Sequence, residues 1–324
     1  KDYTNIDKKE RKVIFSTSGN KRPTGDQAYN MWNGLQIIDI DIKNERIANS
    51  LKPILFDELK KFLASRRPGQ NDLTTKRNEP DEPVILSRLN EKNITCGAPL
   101  CAVIENHDTR SGDYAEFSDK PRPGHADLTG AAKYSRADVR DILERSSARE
   151  TAMRVAAGAL CKIFLKECGV EISSKVLDED KIKNRIDDAK SRGDTVGGIF
   201  EVTITDVPVG LGSHIQWDKK LDAKFAAAFM SIQAVKGVEI GDGFANANKF
   251  GSEVHDEIFM DADKKIFRKT NRAGGIEGGM SNGEPIIIRA AMKPIPTLMK
   301  PLQTVDIATK LATTASKERS DTCA

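Results

Sequence analysis

Apolar residues recur along the chain in two distinct rhythms. Residues 1–34 are polar and lack either rhythm. From Pro53, a residue suited to a first helical turn, Ile54, Leu55, Leu59, Phe62 and Leu63 fall on one helical face. The Arg66-Arg67-Pro68-Gly69 segment ends that pattern. Val84 to Glu105 alternates apolar runs with Asn93 and Gly97, as strands joined by a turn would. Asp108 to Asp127 is rich in Pro, Gly and charge, and reads as a loop of the kind that carries function. Helical spacing returns from Asp138 to Cys168 through Val139, Leu143, Val155, Ala159 and Phe164. There Arg145-Ser146-Ser147 marks a local break, and Gly169 stands where a left-handed cap belongs. Val196, Val202, Ile204 and Val207 predict a strand. Leu221, Phe225, Ala228, Ile232 and Val235 predict a helix from Asp218 to Lys236, with Asp218 as N-cap and Gly237 after its end. A glycine-dense loop, Ala273 to Gly283, leads into Ile286-Ile287-Ile288, a buried-strand run. Strands and long helices do not alternate at βαβ spacing, which predicts an α+β fold.

Composition narrows the class without naming a function. With 38% hydrophobic and 31% charged residues the 324-residue chain reads as a globular protein, neither disordered nor fibrous. A formal charge of +3 is too small to argue for nucleic acid as partner. No apolar run approaches the ~20 residues that span a bilayer, so no membrane partner is expected. Cys96, Cys101, Cys161, Cys168 and Cys323 form no Cys-x-x-Cys pair and have mostly apolar neighbours, as free thiols in a reducing cytoplasm would. The four histidines lack metal-ligand spacing, and no metal site is expected.

Five segments carry candidate chemistry. In Arg122-Pro123-Gly124-His125-Ala126-Asp127 the Pro-Gly pair presents an imidazole suited to proton transfer, or a structural loop histidine. In Glu144-Arg145-Ser146-Ser147-Ala148-Arg149-Glu150 two arginines four apart share a helix face and can clamp an anion, or pair with the flanking glutamates. Half of the ten residues Gly274 to Gly283 are glycine, which lets backbone amides approach a phosphate, or makes a flexible loop. Lys293-Pro294-Ile295-Pro296-Thr297 stiffens a cation and a hydroxyl suited to a phosphate, or ends an edge strand. Arg319-Ser320-Asp321 sets a cation two residues from a carboxylate.

Taken together and in this order, these segments resemble chorismate synthase over about residues 66–324. The most specific are RPGHADLTGAAKY (122–134) and ERSSARETAMRVAAGA (144–159). VPVGLGSHIQWDKKLDA (207–223), SIQAVKGVEIGDGF (231–244), GGIEGGMSNGEPIIIRAAMKPIPT (274–297) and ERSD (318–321) complete them. The resemblance implies a single-domain β-α-β sandwich of sheets and long helices at 35–324, after a divergent segment 1–34, and a homotetramer. It implies a 1,4-elimination: 5-enolpyruvylshikimate 3-phosphate loses phosphate and its C6 proton to give chorismate, within aromatic amino acid biosynthesis. Reduced FMN is required without net redox change, and in bifunctional members NADPH reduces it. Carried over residue by residue, Arg66, Arg122, Arg149 and Arg319 are anion clamps, with Ser147 and Ala148 beside them as substrate contacts. His125 is a general acid toward the flavin, and Asp321 assists removal of the C6 proton. FMN contacts fall on Arg145, Ser146, Ser147, Gln233, Ala234, Gly278, Lys293, Pro294, Ile295, Pro296, Thr297 and Arg319. Lys293 and Thr297 are the natural phosphate ligands.

The chain departs from the family pattern in places. The family's early Gly-Glu-Ser-His-Gly, whose histidine is thought to protonate the leaving phosphate, has only Ser16-Thr17-Ser18-Gly19-Asn20 as an echo, and the first histidine is His107. Asp72 stands where the family has an arginine, and the sequence ends at Ala324, just past the Arg-Ser-Asp motif that the family extends. The alternative expectation is therefore a catalytically impaired relative that retains flavin or anion binding, or an assembly role.

Overall fold

The computed structural model describes residues 59–65, 80–86, 100–105, 107, 119–135, 138–146 and 150–317, the side chains of 141, 144, 145 and 179 excepted. The elements in chain order begin with α1 (59–65), β1 (Pro83–Ile85), β2 (Ala102–Ile104), α2 (Asp127–Tyr134), α3 (Arg140–Arg145), α4 (Thr151–Glu167) and β3 (Glu171–Val176). Next come α5 (Glu179–Arg192), β4 (Gly198–Thr205), α6 (Leu221–Met230), β5 (Val235–Ile240), α7 (Gly251–Val254), β6 (Ile258–Met260) and β7 (Ile266–Arg268). The last are β8 (Ile276–Glu277), β9 (Met280–Ser281), β10 (Ile286–Met292), β11 (Gln303–Val305) and β12 (Ala312–Thr314). Helices and antiparallel sheets together make an α+β fold, as the patterning predicts.

The chain divides into two compact units. The first takes Lys1–Pro68, Arg77–Thr109 and Ala148–Gly169. Its centre is α4, an alanine-rich run of strong helix formers. Ala152, Ala156, Ala159, Leu160, Ile163 and Phe164 recur at helical spacing and are buried. They pack against Leu59 and Leu63 of α1 and Leu100, with Ile85 and Ile104 of the β1–β2 pair alongside. The apolar face expected from Pro53 onward is thus buried at Leu59 and Leu63; its earlier positions, and the 66–69 break, lie outside the described residues. The helix ends where Gly169 turns left-handed (φ 84) and donates its amide to the Lys166 carbonyl. Phe164 is 1% exposed, so Phe164→Ala is expected to destabilise this unit by about 3–5 kcal/mol, read by urea denaturation.

The helical stretch expected from Asp138 to Cys168, with its local break at Arg145-Ser146-Ser147, is two helices, α3 and α4. Between them Ser146 is a turn and 147–149 lie outside the described residues.

The second unit takes Gly69–Lys76, Arg110–Ser147 and Val170–Ala324. Its frame is a four-stranded antiparallel sheet in the order β3-β4-β10-β5. Register makes the sheet amphipathic. Phe200, Val202 and Ile204 of β4 align with Ala290, Ile288 and Ile286 of β10, giving one apolar face. The Phe229 ring of α6 lies 6.1 Å from that of Phe200, so α6 covers this face. On the opposite face Lys175, Glu201, Arg289 and Glu239 stand in register, one per strand. Lys175 bonds Glu201 at 2.9 Å, and Arg289 bonds Glu201 at 2.8 Å and Glu239 at 3.3 Å. One face seeking apolar cover and one bearing charge is the usual division of an antiparallel sheet.

The expected helix from Asp218 to Lys236 is corrected at both ends. Asp218 lies in a 3-10 turn, Trp217–Lys219, and the first amide of α6, Leu221, bonds the Gly279 carbonyl instead of an aspartate side chain. After Met230 the chain turns through Ser231–Ala234, with Ala234 left-handed (φ 68), and Val235 and Gly237 belong to β5. Val235 satisfies both a helical and an alternating pattern. The unpaired edge of β10 decides between them, because β5 gives it a hydrogen-bonded neighbour. The strand expected around Val202 and Ile204 is β4, with Val196 and Val207 just beyond its ends.

Candidate active site

The turn around His125 follows directly from its residues. Proline supplies the fixed φ of the second turn position and Gly124 the positive φ of the third, here +79°. The His125 amide donates to the Arg122 carbonyl at 3.3 Å, closing a four-residue turn. Arg122 and His125 therefore stand side by side, and the next residue but one, Asp127, opens α2. A carboxylate in a helix's first turn is favoured by the exposed amides there. Small residues on α2 let it approach α3: a Cβ on Gly130 would lie 2.4 Å from the Ile142 side chain.

Asp127 is 1% exposed and is the centre of the cluster. It accepts hydrogen bonds from the Arg122 backbone amide at 3.1 Å, Arg122 Nε at 2.8 Å and Arg122 Nη2 at 3.2 Å. Its Oδ1 also bonds His125 Nδ1. Burial alone would raise the pKa of Asp127, but the bonds from His125 and the Arg122 guanidinium outweigh it and hold the carboxyl well below the usual carboxylate range. Arg122 is likewise buried, and its guanidinium is turned onto Asp127, with Nη2 3.1 Å from His125 Nδ1.

A second predicted segment reaches this turn from 169 residues further along the chain. Lys293, just past β10, donates from Nζ to the Gly124 carbonyl. A Cβ on Gly124 would lie 3.7 Å from both Lys293 Nζ and Pro296 Cβ. Lys293 to Thr297 is itself held in place: the Lys293 amide donates to the Ala234 carbonyl at 2.9 Å, and Thr195 Oγ1 donates to the Ile295 carbonyl at 2.7 Å. The loop before Arg122 is held by the β11 region. Thr304 Oγ1 donates to the Pro121 carbonyl at 2.6 Å, and the Ile307 amide to the Asp119 carbonyl at 2.9 Å.

The structure thus brings Arg122, His125, Lys293 and Pro296 together, with Ala234 and Ile295 bonded into the same framework through their carbonyls. Gln233 lies in the turn after α6. Ser146 donates its hydroxyl to the Ile142 carbonyl at 2.6 Å, at the end of α3. Gly278 and Gly279 form the two-residue turn of the β8–β9 hairpin, with φ of +57° and +83°. That turn needs positive φ at both positions, which accounts for the pair, and a Cβ on Gly278 would meet open space. Arg145 is the last residue of α3. Arg66, Ser147, Ala148, Arg149, Arg319 and Asp321 lie outside the described residues. Asp127 has no role in the sequence reading, although its place two residues after a presented histidine was the available signal.

The donor set at this turn suits an anionic group. Lys293 has an ammonium with three N–H bonds, only one of which the Gly124 carbonyl uses. Thr297 carries a hydroxyl four residues on along the chain. The phosphate of a cofactor such as FMN fits such donors.

The family model described as chorismate synthase matches residues 48–324. The chain is 52% identical over 281 residues to chorismate synthase of Thermoanaerobacter pseudethanolicus, covering 84% of this chain and 80% of that protein. It is 46% identical over 322 residues to chorismate synthase of Pelobacter propionicus, covering 84% of this chain and 82% of that protein. A crystal structure of chorismate synthase superimposes with a TM-score of 0.61 at 38% identity, covering 76% of this chain and 78% of that one. Matched by the family model over residues 48–324 and by these relatives over most of its length, the chain belongs to the chorismate synthase family.

Proposed function

We propose that this protein is a lyase of the shikimate pathway that eliminates phosphate from 5-enolpyruvylshikimate 3-phosphate to give chorismate, with reduced FMN bound beside the His125 turn. The observation that carries the reading is the bond from Lys293 Nζ to the Gly124 carbonyl, which joins two family segments far apart in sequence into one cationic, proton-carrying site.

In this reading Lys293 and Thr297 hold the FMN phosphate, and Pro294, Ile295 and Pro296 keep the backbone between them rigid. Gln233, Ala234 and Gly278 line the cofactor, joined on sequence alone by Arg145, Ser146, Ser147 and Arg319. When bound, the reduced flavin supplies electron density to the allylic system as phosphate departs. His125 presents a ring nitrogen as proton donor, and burial of its partner Asp127 keeps the imidazole from swinging away. The substrate carries a phosphate and two carboxylates, which call for guanidinium groups in fixed geometry. Arg122 is the buried member of that set. Arg66, Arg149 and Arg319, with Ser147 and Ala148, complete it on motif alone, and Asp321 assists loss of the C6 proton. NADPH as reductant, a homotetramer, a cytoplasmic location and one domain from residue 35 after a divergent 1–34 belong to the same proposal.

The test is anaerobic turnover of 5-enolpyruvylshikimate 3-phosphate with photoreduced FMN, followed by chorismate absorbance, beside FMN binding by fluorescence quenching. Saturable FMN binding with chorismate formation is expected. Binding without turnover would replace the lyase with a flavin-binding relative.

A further inference from the structure

The role proposed for His125 leaves open which of its two ring nitrogens faces the reaction, and the carboxylate behind it answers that. Asp127 is 1% exposed and is held by three hydrogen bonds from Arg122, so it cannot turn away from the ring. Its Oδ1 meets His125 Nδ1. A carboxylate is an acceptor only, so Nδ1 must carry its proton whenever Asp127 is ionised, whether the ring is neutral or charged. Nε2 is then left as the nitrogen whose proton comes and goes. Arg122 takes part in the same constraint: its guanidinium donates to both oxygens of Asp127, and Nη2, although 3.1 Å from Nδ1, bonds Asp127 Oδ1 at 3.2 Å and as a permanent cation cannot accept a proton from Nδ1. Another charged group beside the turn is Lys293, whose ammonium bonds the Gly124 carbonyl.

We infer that Asp127, backed by Arg122, is a positioning residue that locks His125 in the Nδ1–H form and reserves Nε2 for proton exchange at the active site. This rests on the catalytic reading of His125 only for its consequence in turnover. The lock itself is a property of the chain without cofactor. The arrangement is that of a histidine oriented by a buried carboxylate in hydrolases, where changing the carboxylate to its amide supplies the wrong tautomer. An asparagine at 127 would offer an amide donor to Nδ1 and drive the proton to Nε2.

Ring-nitrogen NMR on protein carrying 15N-labelled histidine reads this directly. In the native chain the neutral His125 ring is expected as the Nδ1–H tautomer. In Asp127→Asn it is expected to shift toward Nε2–H, because the amide puts a donor where the carboxylate acceptor stood. Turnover in Asp127→Asn is expected to fall on the order of 10²-fold, with KM for substrate within about 3-fold, and Asp127→Glu to recover part of it. An Nε2–H tautomer in the native chain, or a His125 tautomer unchanged in Asp127→Asn, overturns the inference. Should Asp127→Asn not fold, the pair Asp127→Asn with Arg122→Met removes the unpaired charge and is read the same way, and the native tautomer needs no variant. Turnover undiminished in His125→Asn would refute the catalytic reading of His125 and leave the tautomer result standing, so the two failures are separable.

Discussion

His125→Asn is expected to lower chorismate formation by about 10²–10⁴-fold while leaving FMN binding within a few-fold of the native value. A positioned acid acts on the transition state far more than on the ground state, so its loss falls on kcat. Asparagine keeps a donor in reach of Asp127, so the turn and the buried ion pair are retained and the change isolates proton transfer. Stopped-flow assays with photoreduced FMN at saturating substrate measure kcat, and fluorescence quenching measures the cofactor. An equal fall in both would mean that His125 serves to shape the flavin site and not to move a proton.

Arg122→Met is expected to destabilise the second unit by about 3–5 kcal/mol at neutral pH, because it strands a carboxylate that is 1% exposed. The size of this effect depends on pH in a defined direction. In the native chain the pKa of Asp127 lies below its unfolded value of about 3.9, since the bonds from His125 and Arg122 outweigh burial. Its stabilising contribution is therefore fully present above the unfolded pKa and is lost as pH falls toward the folded one. Without Arg122, burial is less opposed, and Asp127 takes up a proton at higher pH than in the native chain. The gap between variant and native protein should therefore be widest near pH 7 and narrow below about pH 4. Urea denaturation at pH 7 and pH 3 tests this, and a gap independent of pH would mean that the loss comes from packing of the arginine stem alone.

The same cluster shows what was legible in the chain and what was not. Pro123-Gly124 dictates a turn with positive φ at glycine, and that local rule presents His125 without any help from the rest of the fold. The alanine-rich stripe of α4 and its Gly169 terminus were equally local, since intrinsic propensity and one-sided apolar spacing agree there. The glycine-dense segment Gly274 to Gly283 reads along the chain as a loop open to a ligand; that Gly278 and Gly279 form the turn of a hairpin needed the partner strand to be known.

By itself, then, the sequence determined the α+β class, the break between α3 and α4, the turn that carries His125 and the segments that place the chain in its family. Only the tertiary structure decided that Val235 to Ile240 is a strand, because the winning term was the unpaired edge of β10, fifty residues away in sequence. It alone brought Lys293 to the Gly124 carbonyl, and β11 to the loop before Arg122. It also turned Arg122 inward onto Asp127. A guanidinium at the first position of a Pro-Gly turn gives no sign along the chain that it is buried against a carboxylate. Propensity and spacing are set by neighbours along the chain, whereas desolvation and long-range pairing depend on groups the chain has yet to reach, and the charge pattern of this site is governed by the latter.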